Sequence, residues 1–282
     1  MPHGGYASTA SALQKAGVLQ DGWWQATLFH LSVVLTRSNG QIHAAEFHFP
    51  AGVSVQETLW ILRHAKPVLH RLTIPEGLTA SQISALIAEA PFLTGSVPPL
   101  QEGGILPQTY SYLRDSSRQA LVAQMQLSLH VALQKIWQAR SPDEQAIQTP
   151  EDLVVLASLI EKETAVPEER SLIARVFLNR LAKGMRLQTD PTVIYAITDG
   201  NPPLGRPLTR ADLQTPSPYN TYLNPGLPPG PICAPGEQAL EAAAHPAQSN
   251  ALYFVANGTG GHSFASTLSG HNQNVAVFRK KR

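Results

Sequence analysis

Cysteine occurs only once in this chain of 282 residues, at Cys233, so the sequence can form neither an internal disulfide nor a cysteine-rich metal site. Charge is also sparse. Charged residues make up 15% of the chain and the formal net charge is +1, which argues against a nucleic-acid partner because such a surface needs a basic excess. The hydrophobic content of 43% nevertheless indicates a folded chain rather than a disordered one.

Long hydrophobic runs are missing as well. The longest apolar stretch near the N-terminus covers residues 26–35 and is interrupted by His30 and Ser32. It is far shorter than the roughly 20 residues that a membrane-spanning helix needs. No secretory signal can be read at the start of the sequence either.

The motifs of several common enzyme classes are not found. There is no G-x-S-x-G nucleophile elbow, and the glycines of segment 258–261 follow no phosphate-binding pattern. His245, His262 and His271 lack the spacing of metal ligands, so we expect no zinc site. The sequence therefore favours chemistry that side chains carry without a metal or a cofactor.

The most informative segment is 153–163, LVVLASLIEKE. Its apolar side chains would fall almost all round a helix, which predicts a helix in the protein interior. Glu161 would project between Val154 and Ala157. A carboxyl group buried there has a raised pKa and stays protonated near neutral pH, which is the state that a general acid requires.

Glu163 is the competing candidate for the acid, because it also falls on an apolar stripe, near Leu156 and Ile160. A plain alternative is open for both glutamates: a helix end at which they reach solvent or pair with a nearby arginine. The arginines within reach along the sequence are Arg170, Arg175 and Arg180.

Three regions can be drawn along the chain, at residues 1–70, 71–150 and 151–282. In the first, alternation predicts a strand over 43–50, and Ser54 with Glu57 forms a capping-box signature before a helix. In the second, we expect a helix over 79–89 and an amphipathic helix over 117–138. In the third, Thr149 and Pro150 open the glutamate-bearing helix, a further helix runs from 167 to 184, and residues 252–255 predict a buried strand.

The proline-rich segment 202–235 cannot be regular structure, and we interpret it as an ordered loop that lines a cleft rather than as a linker. It contains Tyr219, Asn220 and Tyr222, rings and an amide of the kind that sugar-binding clefts use. Packing within the loop is the alternative for these side chains.

Further candidate residues flank the glutamate helix in sequence. Gln188, Thr189 and Asp190 form one group, and Asp190 either contacts substrate or only starts a turn by bonding its own backbone. His262 follows two glycines and precedes Phe264. Taken alone, such a histidine is more often structural than functional.

Several blocks of the sequence carry a family resemblance. They are E-K-E-T at 161–164, N-R-L at 179–181, R-L-Q-T-D-P-T-V-I-Y at 186–195, Y-N-T-Y at 219–222, G-L-P-P-G-P-I at 226–232, Y-F-V-A at 253–256 and G-H-S-F at 261–264. In this order and at this spacing, residues 153–272 resemble the YceG-like family of endolytic murein transglycosylases.

The resemblance implies an α+β fold, with a small LysM-like β/α subdomain at 1–70 followed by a mixed α+β catalytic domain. It implies that Glu161 of the E-K-E-T block is the catalytic residue. The candidates for substrate binding are Glu163, Gln188, Thr189, Asp190, Tyr219, Asn220, Tyr222 and His262. No cofactor and no metal are implied. For residues 1–70, a purely structural spacer is the alternative to a glycan-binding module.

The implied reaction is cleavage of the bond between N-acetylmuramic acid and N-acetylglucosamine in peptidoglycan glycan strands, with 1,6-anhydro ends as products. One acid suffices for it, since the attacking hydroxyl belongs to the substrate. Two alternatives stay open: a non-catalytic peptidoglycan-binding scaffold, and a muramidase that uses water.

The resemblance also implies a location and partners. Family members have one N-terminal membrane helix, so we expect the inner membrane as the site of action, with the catalytic domain facing the periplasm and peptidoglycan synthases nearby. Because residues 26–35 are too short to span a bilayer, we expect an upstream extension to supply the anchor.

Overall fold

A computed structural model describes residues 5–141, 146–201 and 204–280 of the chain. Over these residues the protein is rich in helices and has two small sheets, which confirms the predicted mixed α+β class. The helices are α1 (Tyr6–Lys15), α2 (Trp23–Leu35), α3 (Val55–His64), α4 (Ala80–Glu89), α5 (Arg118–Ala139), α6 (Pro150–Glu163), α7 (Arg170–Ala182), α8 (Asp190–Thr198), α9 (Glu237–Ala244) and α10 (Leu268–Lys280). No helix within the described ranges has both the length and the apolar character to cross a bilayer.

The strands form two separate pairs. Strand β1 (His70–Thr73) pairs with β2 (Thr109–Tyr112). Strand β3 (Tyr253–Ala256) pairs antiparallel with β4 (His262–Ala265), so that Tyr253 lies opposite Ala265 and Ala256 opposite His262. The strand predicted at 252–255 is therefore present, but the prediction that it is buried is wrong, because its residues are only partly buried.

The described residues group into two compact units. The first takes residues from 1–72, 91–94 and 111–117, and the second takes those from 73–90, 95–110 and 118–282. This grouping differs from the three regions drawn on the sequence, which stay a prediction. Helix α5 belongs to the second unit because it packs against α6 and α9.

The first unit is built from α1, α2 and α3 around a small apolar core that includes Leu13, Phe29 and Leu62. The capping box of Ser54 and Glu57 at the start of α3 is confirmed. The prediction of a strand over 43–50 is wrong. Phe47 and Phe49 pack against the core as their alternation requires, but this extended segment has no strand partner among the described residues, and β1 starts only at 70.

The second unit is centred on α6. Residues 153–160 of this helix are all buried, as the apolar pattern predicted. Thr149 caps the helix in a capping box with Asp152, and Pro150 occupies the first turn. Helices α5, α7, α8 and α9 pack around α6, and they hold its C-terminal turn in place.

The predicted proline-rich loop contains one short 3₁₀ turn, Asp212–Gln214, and is otherwise irregular over residues 204–235. Residues 202 and 203 lie outside the described ranges. Its last residues pack directly on α6: the hydroxyl of Ser158 accepts a hydrogen bond from the backbone N–H of Ile232 at 3.1 Å, and the buried thiol of Cys233 lies 3.4 Å from the carbonyl oxygen of Ser158. This segment is thus part of the core rather than a linker.

Candidate active site

Glu161 lies in the last turn of α6 with only 7% of its side chain exposed. Its Oε2 accepts a hydrogen bond from the backbone N–H of Gly236 at 3.0 Å, and its Oε1 lies 3.9 Å from Nη2 of Arg170. Burial raises the pKa of the Glu161 carboxyl, and this effect outweighs the Gly236 hydrogen bond.

A second carboxylate, Glu76, approaches the same place. Its Oε2 lies 3.9 Å from Nη2 of Arg170, and its Oε1 occupies the space that a side chain at Gly236 would need. Position 236 therefore has to be glycine for Glu76 to reach the site. Sequence reasoning missed Glu76, because a Glu-Gly turn has no signal of its own and the partners of Glu76 lie about a hundred residues away along the chain.

An open pocket of about 420 Å³ lies at this end of α6. It is lined by Glu76, Gly77, Glu161, Lys162, Glu163, Thr164, Ala165 and Arg170. Lys162 closes one edge by donating from Nζ to the carbonyl oxygen of Gly77 at 3.2 Å. The pocket thus combines three carboxyl groups, those of Glu76, Glu161 and Glu163, with two cations, Lys162 and Arg170.

Glu163 has a different environment from Glu161. Its carboxylate accepts a hydrogen bond from the hydroxyl of Thr189. Burial raises the pKa of Glu163 and the nearby charge of Asp190 raises it further, against the Thr189 hydrogen bond. The plain alternative of solvated helix-end glutamates does not hold for either residue, although Arg170 does pair with Glu161.

The residues next to Thr189 are more exposed. Asp190 opens α8 with proline following it, and its Oδ1 accepts a hydrogen bond from the hydroxyl of Tyr222 at 2.6 Å. The aspartate therefore pairs with the Y-N-T-Y loop. Gln188 is exposed and has a positive φ of 48°, while its backbone N–H donates to the carbonyl oxygen of Thr221 at 3.2 Å.

Asn220 is not placed to contact a sugar, because it is 0% exposed. Its Nδ2 donates to the carbonyl oxygens of Leu213 and Thr215 at 3.1 Å and 2.8 Å, and its Oδ1 accepts from the backbone N–H of Tyr222. The expected substrate contact is thus replaced by loop packing, the alternative that the sequence left open. Both N–H donors of the amide are used within the loop, and a side chain with no exposed surface cannot reach a ligand.

Tyr219 and His262 are held by other partners. The ring of Tyr219 lies 4.8 Å from that of Tyr195, centroid to centroid. Nδ1 of His262 lies 2.7 Å from Oε2 of Glu169, whose Oε1 also accepts the backbone N–H of His262. Burial raises the pKa of Glu169, but the hydrogen bonds from His262 outweigh it and hold that pKa below its usual value.

One more acid, the partly buried Glu102, escaped the sequence analysis. Glu102 accepts a hydrogen bond from the backbone N–H of Ala80 at the start of α4, at 2.9 Å, and one from the hydroxyl of Tyr195 at 3.4 Å. Burial raises its pKa. The glycine-rich loop that carries it gave no pattern from which a buried carboxyl group could be predicted.

Comparison with known proteins agrees with the resemblance noted in the sequence. The sequence profile of the YceG-like family matches residues 2–277. A protein named endolytic murein transglycosylase from Streptococcus pneumoniae serotype 2 is 30% identical over 315 aligned residues, which cover 94% of this chain and 55% of that protein. A Bacillus subtilis protein of the same name is 48% identical over 124 residues, or 43% of this chain and 32% of that protein.

A crystal structure of a YceG-like protein from Listeria monocytogenes is similar over the whole chain. Its TM-score is 0.60 at 30% identity, and the match covers 97% of both chains. The chain spans about half the length of the pneumococcal relatives, 55% of each.

Proposed function

Because the chain belongs to the YceG-like family, we propose that it is an endolytic lytic transglycosylase of peptidoglycan. It cleaves the bond between N-acetylmuramic acid and N-acetylglucosamine within glycan strands and leaves 1,6-anhydro ends, so that it terminates nascent strands. The observation that carries the proposal is Glu161, a desolvated carboxyl group with a raised pKa at the wall of an open pocket. Such a group can hold a proton near neutral pH and release it to a leaving oxygen.

The reaction then needs one side chain in two successive roles. The Glu161 carboxyl protonates the glycosidic oxygen, and the bond from that oxygen to C1 of the muramic acid breaks. The resulting carboxylate takes the proton from the 6-hydroxyl of the muramic acid, and the oxygen of this hydroxyl forms the new bond to C1. Glu161 ends the cycle protonated, and no water is consumed. Since the nucleophile is already part of the substrate, proximity replaces a nucleophile from the protein.

A second candidate, a hydrolytic muramidase, is favoured by one observation. A glycosidase that activates water uses two carboxyl groups on either side of the bond, and Glu76 supplies a second carboxylate beside Glu161. The two functions predict different products: hydrolysis gives reducing ends, and transglycosylation gives ends lighter by one water molecule.

The deciding experiment is mass spectrometry of purified, uncrosslinked glycan strands after incubation with the protein. Shortened strands with 1,6-anhydro ends are the expected result. Shortened strands with reducing ends would identify the muramidase. Strands that bind the protein and keep their length, at every pH tested, would leave only a peptidoglycan-binding scaffold.

For the first unit we propose glycan binding by a LysM-like module at residues 1–70. The support is the resemblance of the sequence; a structural spacer is the alternative. Helix α2 exposes two tryptophans, Trp23 at 82% and Trp24 at 51%. The test replaces each of them by serine in the whole protein. A weaker retention on insoluble peptidoglycan, with cleavage of short strands unchanged, is the expected result for Trp23→Ser and Trp24→Ser. Unchanged retention would favour the spacer.

We also propose that the protein acts at the inner membrane, with its catalytic unit on the periplasmic side and peptidoglycan synthases as neighbours. The proposed substrate lies outside the cytoplasm, which is the support for this location. Fractionation of the native cells, followed by protease treatment of spheroplasts, tests it. Recovery in the membrane fraction with protease-accessible catalytic residues is expected, and recovery in the cytosol would contradict it.

A further inference from the structure

The charged groups around the proposed acid form a three-membered cluster. Nη2 of Arg170 lies 3.9 Å from Oε2 of Glu76 and 3.9 Å from Oε1 of Glu161. The two carboxylate oxygens are therefore no farther apart than twice that distance. Each carboxylate also contacts Gly236: one accepts its N–H, and the other fills the space beside its Cα.

Arg170 is held in a fixed position between the two acids. Its side chain is 9% exposed, and Nη1 donates to Oε1 of Gln238 at 2.5 Å. Its Nε has no hydrogen-bond partner among the described residues. The guanidinium lies at the same distance from both carboxylates, so one positive charge is shared between two acids.

We propose that Glu76 is a positioning residue that keeps Glu161 protonated, by sharing Arg170 and by placing a negative charge beside it; the inference rests on the proposed transglycosylase function. When two carboxyl groups compete for one cation, the more solvated group ionises and the less solvated group keeps its proton. The side chain of Glu76 is 44% exposed, against 7% for Glu161. After Glu161 has given up its proton, Arg170 is already in place to stabilise the carboxylate.

Burial and the Gly236 hydrogen bond act on the pKa of Glu161 more strongly than its charged neighbours do. Burial is the largest cause of its raised pKa, and the Gly236 hydrogen bond opposes it; the charge of Glu76 raises the pKa further, against Arg170 and Lys162. Cys233, in the segment packed on α6, is buried and its raised thiol pKa keeps it neutral. Glu76 is thus an anionic neighbour whose charge a single substitution removes.

The test follows the protonation of Glu161 directly. The side-chain carboxyl carbons are observed by NMR across pH in the intact protein, and the Glu161 signal is assigned by its loss in Glu161→Gln. In Glu76→Gln, Glu161 should lose its proton at a lower pH than in the wild type, because a neighbouring negative charge has been removed. Gly236→Ala should act in the same direction, since its new methyl group displaces the Glu76 carboxylate while the amide is kept.

Matched controls make the result specific. Glu151→Gln removes one carboxylate from the exposed start of the same helix, about 15 Å away at the rise of an α-helix, and should leave the Glu161 titration unchanged. Glu76→Asp keeps the charge and should stay closer to the wild type than Glu76→Gln. Glu76 is exposed enough that the variants should fold, which thermal melts verify.

Cleavage assays supply the second readout. The basic limb of the pH–rate profile should move to lower pH in Glu76→Gln, while the rate at low pH stays within about threefold of the wild type because the acid is intact there. An unchanged Glu161 titration would overturn the proposal. The proposal would also be overturned if Glu76→Gln lost cleavage at every pH and lost reducing-end products as well. Glu76 would then react directly as a base. A wild-type protein that cleaves nothing refutes the proposed function but leaves the NMR titration as a valid test.

Discussion

Helix α6 ends with two glutamates, and the two sides of the helix that carry them differ in what holds each carboxylate. On one side Glu161 accepts the backbone N–H of Gly236 in an open pocket beside Glu76. On the other side Glu163 accepts the hydroxyl of Thr189, which is 2% exposed. Burial raises the pKa of both glutamates. A raised pKa alone therefore does not identify the catalytic acid. The identification has to rest on the contacts of each carboxylate.

The contacts on the Glu163 side form a closed network. The backbone N–H of Thr189 donates to Oγ1 of Thr221 at 3.1 Å, and the hydroxyl of Thr192 lies 2.9 Å from the same oxygen. All three threonines are buried. Both glutamates line the same pocket. We infer from the threonine network that Glu163 fixes the segment before α8 to the end of α6, and that Glu161 is the acid.

The sharpest way to break this comparison is to neutralise each glutamate in turn. Glu161→Gln keeps the shape and removes the transferable proton, so cleavage should fall by about two to four orders of magnitude. Glu163→Gln keeps a hydrogen-bond acceptor for Thr189 and should retain cleavage within about tenfold of the wild type. Initial rates of strand shortening, with melting curves as a check on folding, decide between them. The reverse pattern would move the acid to Glu163.

Asn220 tests the architecture of the Glu163 side. Asn220→Ala removes three hydrogen bonds from a fully buried site and leaves two carbonyl oxygens and an N–H unpaired, so the free energy of unfolding should fall by about 2–4 kcal/mol. Urea denaturation measures the loss. The exposed neighbour of the network provides the control: Gln188→Ala should change stability by less than about 0.5 kcal/mol. Equal stability of the two variants would contradict the structural assignment of Asn220.

Asn220 also shows where sequence reasoning stops. Its residue type and its place in a proline-rich loop suggested a sugar contact, and the structure instead turns it inward. Residue type indicates what a side chain can bond, but the direction in which a loop side chain points depends on partners such as Leu213 and Thr215, which no period or motif fixes. The same limit explains the wrong prediction at Phe47 and Phe49. Their alternation correctly indicated that they pack against the core, but it also predicted a strand, and no partner strand lies there among the described residues.

The interior of the second unit was predictable because its signals are local. The start of α6 at Thr149, the proline that follows it and the apolar surface of residues 153–160 all lie within one helix, and each is confirmed. The burial of Glu161 followed from the same pattern. The cluster with Glu76 did not, because it joins residues from three distant segments, and electrostatic partners of this kind carry no sequence periodicity.

A smaller effect should follow from cutting the link between Thr189 and Glu163. Thr189→Val keeps the shape of the side chain and removes the donor to the Glu163 carboxylate. A buried acceptor is then left unpaired, so the free energy of unfolding should fall by about 1–3 kcal/mol, while cleavage changes little. Thr198→Val is the control. The Thr198 hydroxyl donates to the carbonyl oxygen of Ile194, four residues back in α8, and its loss should cost less than about 0.5 kcal/mol. A large loss of cleavage in Thr189→Val at full stability would place Glu163 in the chemistry.

The smallest expected effect is a dependence of stability on pH, and its sign follows from the Glu161 environment. The pKa of Glu161 in the folded protein is raised above its ordinary value of 4.5. The stability that this group contributes is therefore fully present below pH 4.5 and is lost as pH rises through the raised pKa. The glutamine side chain in Glu161→Gln cannot ionise. The melting temperature of this variant should therefore rise relative to that of the wild type between pH 4 and pH 8.

Glu46 provides a control of the opposite sign. The hydrogen bond from Arg114 lowers its pKa to about 2, and His70 adds a second. Its contribution is present above pH 4.5 and is lost as pH falls towards 2. The melting temperature of Glu46→Gln should thus lie below that of the wild type at pH 7 and approach it in acid. If both variants changed in the same direction with pH, a general charge effect would explain the trend, and the raised pKa of Glu161 would lose its support.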